Sequence, residues 1–184
     1  MKKSVSLGKA IRLINAAGVI LVTSSHKKKD NIITLAWSTP ISLTPPLLGI
    51  CVATRHCSAE LIQKQREFII NVPDSSLLEQ IIYCGSYSGH SVDKFKGSGL
   101  TKEQAEKLSN TPIIKECIGH VECRLVDTKE VGDHFVFIGE PVHVLAEEEL
   151  FDGTWKVDKV KLVYHLGVNR FTTSSKEIRM GLKA

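Results

Sequence analysis

The stretch ATRHCSAEL, residues 53–61, gathers a guanidinium, an imidazole and a hydroxyl in Arg55, His56 and Ser58, where an apolar run gives way to a helical pattern. A helix start offers unpaired backbone N–H groups and the positive end of the dipole, and an arginine adds a planar fork suited to oxyanions. The chemistry of this junction is anion binding, with a phosphate as the best fit. The plainer reading is that Ser58 caps the helix and Arg55 pairs with an acid.

A second polar concentration lies in NIITLAWSTPISLTPP, residues 31–46. Ile33, Leu35 and Trp37 alternate with Ile32, Thr34 and Ala36, the period of an extended strand. Ser38, Thr39, Ser42 and Thr44 then interleave with Pro40, Pro45 and Pro46, which remove backbone donors and favour a sheet edge or loop. This hydroxyl segment is expected on the strand beside the one that leads to Arg55, within reach of the same ligand. A third feature is SVDKF, residues 91–95, where Lys94 can place a point charge on an anion while Phe95 packs behind it; many surfaces carry such a pair with no ligand. No G-x-S-x-G elbow and no compact Ser/His/Asp set occurs, so a bound cofactor is expected to carry any chemistry.

Five cysteines, Cys51, Cys57, Cys84, Cys117 and Cys123, show no C-x-x-C spacing, which argues against a disulfide framework and for a reducing cytoplasm. Cys117, His120 and Cys123 lie close in sequence, but a strand through them would turn His120 to the opposite face, so no metal site is expected. The 24 basic residues stand against 20 acidic ones and cluster only at Lys27, Lys28 and Lys29, read as a solvated hairpin tip. With two Trp, three Tyr and six Phe in 184 residues, a basic and aromatic nucleic-acid surface is not expected. Mean hydropathy is near zero, and no apolar run approaches the roughly 20 residues of a membrane span.

The elements that must position these groups begin with an amphipathic helix expected over SLGKAIRLINAAG, residues 6–18. Three strands follow, in VILVTSS, NIITLAW and LLGICVATR, then a helix in SAELIQKQREF and a buried strand in FIINVP. Residues 74–108 hold two helical patterns around a Gly/Ser-rich connection, with Asp74 as a cap. Beyond Pro112 come two long strands joined by a turn at Val131, Gly132 and Asp133, then KLVYHLG and RFTT. Strands outnumber helices and no βαβ alternation or phosphate-loop motif occurs, so one domain spanning residues 1–184, a small barrel with helices outside, is expected.

NIITLAWSTPISLTPPLLGICVATRHCSAELI, together with VILVTSS, FIINVP, CGSYSGHSVDKFKGSGL, VFIGEPV and VYHLGVNRF in this order, resembles the flavin reductase-like, FMN-binding split-barrel family, nearest its flavoredoxin branch, over roughly residues 8–171. The resemblance implies a mainly β, six-stranded Greek-key split barrel with peripheral helices, a homodimer with FMN near the subunit interface, and NAD(P)H as electron donor to a small-molecule or redox-protein acceptor. It implies flavin contacts from Thr34, Ala36, Trp37, Ser38 and Thr39 with Asn31 nearby. Arg55, His56 and Ser58 match the phosphate end. Ser88, Gly89, Lys94 and Phe95 match a second phosphate and ring-contacting loop. Tyr164, His165 and Phe171 match the stretch that approaches the ring or the nicotinamide, with His165 the catalytic candidate. Reductases that feed monooxygenases often carry Ser-Phe-x-Ser-Val-Ser where this chain has Ala36 to Ser42. That departure leaves open whether flavin is a released substrate or a retained prosthetic group; an FMN-binding electron-transfer protein without its own NAD(P)H activity is the alternative reading of function.

Overall fold

In the computed structural model, residues 17–178 are described. Period-2 alternation builds the largest sheet: β2 (Ile20–His26), β3 (Lys29–Leu35), β4 (Ser38–Leu43), β5 (Pro46–Ala53), β6 (Glu67–Val72), β9 (Gly119–Val131) and β10 (His134–Ala146). Their order is β3-β2-β6-β9-β10-β5-β4, antiparallel at every pairing. Inward positions two apart, such as Ile20 and Val22, Ile33 and Leu35, Ile50 and Val52, Phe68 and Ile70, converge with Phe137 in one core. The sheet therefore curls on itself as a split barrel. β3 and β5 approach each other with no ladder between them among the described residues.

Six barrel strands were expected, and the barrel sheet among the described residues has seven. The additional one is β4, formed by the hydroxyl and proline segment as an edge strand. Pro40 is tolerated there because an edge has an unladdered side, and the register with β5 slips between Pro40 and Ser42.

α1 (Cys57–Gln65) follows β5 and inserts Ala59 and Ile62 into the barrel core. It stops at Arg66, whose left-handed φ of 63° ends the helix. The outer faces of β2 and β3 are buried as well: Leu21 and Ile32 pack with Ile81, Cys84, Phe95 and Val163. That double burial explains why these strands read as nearly continuous apolar runs. The cover comes from α2 (Leu78–Ser86) and the single-turn α3 (Lys94–Ser98). The Asp74 carboxylate accepts the Ser76 N–H at the short 3-10 turn, Ser75–Leu77, that leads into α2.

Several expectations are corrected. Of the N-terminal helix, residues 6–16 lie outside the described residues, while Ala17–Gly18 form a short strand, β1. β1 joins β11 (Val163–Gly167) and β12 (Arg170–Thr173) in a small sheet ordered β1-β11-β12. TKEQAEKL, residues 101–108, is not helical. Lys102–Glu103 (β7) pair with Ile113–Ile114 (β8), and the buried Glu122 carboxylate accepts the N–H groups of Glu106, Lys107 and Leu108 at 2.7–2.9 Å. A tertiary acceptor thus replaces the bonds a helix would have made. Cys117 precedes β9 rather than lying on it, and it packs in a different cluster from Cys123. No helix among the described residues is long and apolar enough to cross a membrane.

Candidate functional site

Just outside the barrel core, a cleft of about 440 Å³ opens where β3 ends. Its floor is the outer face of β5. Cys51 and Ala53 point into it, while their neighbours Ile50 and Val52 point into the core. One wall carries Trp37, whose ring lies on His134 at 4.9 Å between centroids and whose carbonyl accepts the Cys51 N–H at 2.9 Å. The opposite wall is the end of α2, with Ile82, Gly85 and Ser86. Thr34 faces the cleft, but its hydroxyl is occupied, donating to the Ile81 carbonyl at 2.7 Å and tying β3 to α2. The β11–β12 turn supplies His165, Val168, Asn169 and Phe171. The His165 ring packs against Phe171, and its Nε2–H donates to the Val168 carbonyl at 3.0 Å, while Nδ1 has no partner among the described residues.

His56 joins this apolar cleft to a polar niche at the start of α1. It is the residue preceding the helix and provides no side-chain cap; its carbonyl accepts the Ala59 N–H at 2.9 Å, and the N–H groups of Cys57 and Ser58 are left for a ligand. Its Nδ1 is buried without a partner among the described residues. Burial first, then the charges of Arg55 and Lys94, hold the ring below its ordinary pKa. Ser58 does not cap the helix: it is fully buried and its Oγ accepts from Asn31 Nδ2 at 2.9 Å. Asn31 Oδ1 is buried and has no hydrogen-bond partner among the described residues. A Cβ at Gly89 would collide with this same Asn31 amide, so only glycine lets the 88–92 turn close over the niche.

Lys94 is the charge in the niche. It is buried, and its Nζ donates to the Cys84 carbonyl at 2.6 Å. No carboxylate pairs with it among the described residues. Burial lowers its pKa. An ammonium has three donors and this one uses a single carbonyl, so it is a buried cation in want of an anion. Arg55 is exposed at the rim, with no hydrogen bond or ion pair to another described residue.

The structure therefore brings together two sets of the expected residues. Thr34, Ala36, Trp37, His56, His165 and Phe171 line the cleft, and Asn31, Ser58, Gly89 and Lys94 form the niche that His56 joins to it. Others lie outside these sets. Ser38 and Thr39 border an adjoining shallow hollow that shares Trp37 and Cys51 with the cleft, and β4 pairs with β5, the strand that leads to Arg55, as expected. Phe95 is buried in the outer core, with Lys102 Nζ 4.9 Å from its ring centre. Ser88 is exposed, and its Oγ accepts the His90 N–H. Tyr164 alternates with His165 along β11 and is absent from the cleft lining.

Cys51, Ser86 and His134 were not singled out from the sequence. His134 was recoverable, since it follows the Gly132 turn directly and the β10 register sets it opposite Ala53. An Asp133 carboxylate oxygen lies 2.6 Å from its Nδ1.

Comparison with known proteins agrees with this architecture. An uncharacterized protein of Pyrococcus abyssi is 32% identical over 167 residues, covering 91% of this chain and 95% of that one. A flavoredoxin from Methanosarcina acetivorans superposes with a TM-score of 0.86 at 28% identity, covering 100% of this chain and 96% of its own. An FMN-binding protein from Thermus thermophilus shares the fold, with a TM-score of 0.87 at 22% identity over 98% of this chain and 100% of that one. The flavin reductase like domain model matches residues 12–170, and the chain belongs to that family.

Proposed function

We propose that this protein is an FMN-binding oxidoreductase that passes electrons from NAD(P)H to an acceptor such as free flavin, ferric iron or a redox partner. One observation carries the reading: a buried, carboxylate-free Lys94 beside the unpartnered Asn31 Oδ1 and His56 Nδ1, at the end of a cleft of about 440 Å³. A phosphate on a polar tether fits the niche, and a flat aromatic ring fits the cleft.

Lys94, the first-turn N–H groups of α1 and Arg55 would hold the phosphate; the donor set is cationic and a single phosphate satisfies it. Asn31 and His56 would meet the tether. Trp37, Cys51 and Ala53 would form the surface beneath the ring. When bound, FMN supplies the capacity to accept a hydride and release electrons singly or in pairs. The chain positions the reactants and excludes water, and no protein base is needed to take a proton in a direct hydride step. His165, held by Val168 and Phe171 at the mouth, would orient the nicotinamide through its free Nδ1. A second copy of the chain would complete the site in a homodimer, and the whole chain would act as one flavin-binding domain.

The likeness to a flavoredoxin favours one other reading, an FMN-binding electron carrier reduced by a protein partner. Anaerobic mixing of the FMN-loaded protein with NADH and with NADPH separates the two. Rapid bleaching of the flavin band by either supports the reductase, and a band that persists with both supports the carrier. A colourless protein that fails to retain added FMN overturns both.

A further inference from the structure

At the end of the β9–β10 hairpin away from the cleft, a second hollow of about 260 Å³ opens beside His120. His120 pairs with Leu145 near the far end of β10, whereas His134 stands at its start; the strand between them runs roughly 35 Å at about 3.3 Å per residue. The His120 residue is only 8% exposed. Its Nδ1 lies 3.0 Å from Asn71 Oδ1. The Asn71 amide is fixed by its other bonds: Nδ2 donates to the Leu21 and Ile69 carbonyls, and Oδ1 accepts the Ile114 N–H. An amide oxygen only accepts, so Nδ1 bears the imidazole proton. Nε2 is then a bare lone pair with no hydrogen-bond partner among the described residues, on a ring that lines the hollow. Burial lowers the pKa of this ring, so the lone pair is present at neutral pH.

The surroundings of this acceptor are acidic. Glu103, Glu106 and Glu147 border the hollow against one lysine, Lys115, and none of the three is in an ion pair with Lys115. Gln104 adds a neutral polar group to the lining, and Ile118 and Leu145 give it an apolar strip. Anions are repelled by this set. A metal ion is also a poor match, because no three His, Cys, Asp or Glu among the described residues converge as ligands. What remains is a ligand rich in N–H donors, positively charged, with an apolar tail. We propose that this hollow is a binding site for a small alkylammonium ion, its N–H groups donating to His120 Nε2 and to the carboxylates of Glu103 and Glu147 while its carbon chain lies on Ile118 and Leu145. The site is separate from the flavin cleft and does not depend on the reading given for it.

The test is histidine-observed NMR on the full-length protein as purified, labelled at the imidazole carbons and titrated at neutral pH with n-butylammonium chloride. Tetramethylammonium chloride, which has no N–H, is the control at equal ionic strength. The His120 signal, assigned by its loss in His120→Gln, is expected to shift saturably with n-butylammonium, with a midpoint in the millimolar range, and to stay still with tetramethylammonium. Glu103→Gln alters an exposed side chain and should fold normally; it is expected to weaken the midpoint about three- to fivefold, as for a solvent-exposed charge partner. Glu149→Gln, outside the hollow, is expected to leave it unchanged. Equal shifts with both cations, no saturable shift, an unaltered midpoint in Glu103→Gln, or a response to zinc chloride with none to n-butylammonium would each overturn the proposal.

Discussion

Lys94 pairs a buried ammonium with one backbone carbonyl, an arrangement that costs stability unless an anion arrives. Function and stability should therefore separate at this residue. Lys94→Met is expected to weaken FMN binding about 10- to 100-fold, the scale of a lost charge-assisted hydrogen bond, while the melting temperature of the cofactor-free protein holds or rises. Fluorescence titration with FMN and a thermal melt of the stripped protein check both halves, and a variant that binds FMN normally would remove Lys94 from the site. His56 makes the matching case for pH. Burial, Arg55 and Lys94 lower its pKa in the folded state, so the unfolded chain binds more protons once pH falls below about 6.5. The stability contributed by the neutral ring is full above that value and is lost as pH drops toward the folded pKa. His120, lowered mainly by burial, acts in the same direction. The melting temperature of the stripped protein should therefore decline from pH 6.5 toward 5, less steeply in His56→Gln. Saturating FMN should flatten the decline, because a nearby phosphate raises the pKa of His56. Melts across that range with and without FMN test this, and an identical acid limb in His56→Gln would show that another group causes it.

At the level of elements, β2, β3, β5 and β6 were legible because each is a short apolar, β-branched run bounded by turn residues, and α1 because its apolar positions follow the helical period. The segment 101–108 was misread for a definite reason. Its Lys, Glu, Gln and Ala residues are good helix formers, but their amides bond to Glu122, an acid more than a dozen residues downstream in the sequence. No local pattern announces such an acceptor; only the β9 register, which buries Glu122 on the same strand face as His120, places it there. Glu122→Gln keeps the shape but sets an amide N–H against one or more of the backbone donors it now satisfies. The expected cost is about 3 kcal/mol, that of leaving buried polar groups unpaired, measured by urea denaturation. Hydrogen exchange should quicken first at Glu106, Lys107 and Leu108. Unchanged protection at these amides would mean that the carboxylate does not hold the segment.

For the whole molecule, the hairpins were readable and the order of the strands was not. β6 lies between β2 and β9, a placement set by long-range closure of the core and invisible to any window of sequence. The same closure brings Cys51 and His134 beside Trp37, which explains why part of the cleft was not legible in the sequence. It also leaves β4 as an open edge. Trp37, Ile41 and Leu43 are 38%, 45% and 90% exposed along or beside it, and an uncovered edge strand bearing large apolar side chains invites pairing with another chain. The homodimer proposed above gives this edge a cover, and because Trp37 belongs both to the edge and to the cleft wall, assembly and cofactor binding should be linked. Sedimentation equilibrium is expected to show a dimer for the native chain and a monomer for Ile41→Lys/Leu43→Lys, with the far-ultraviolet circular dichroism of the native fold retained. If the cover is a second copy reaching the cleft, the same variant should also bind FMN more weakly. A monomeric native protein would dismiss the dimer, whereas a dimer that persists in the variant would move the interface to another face and break the link between β4 and the flavin.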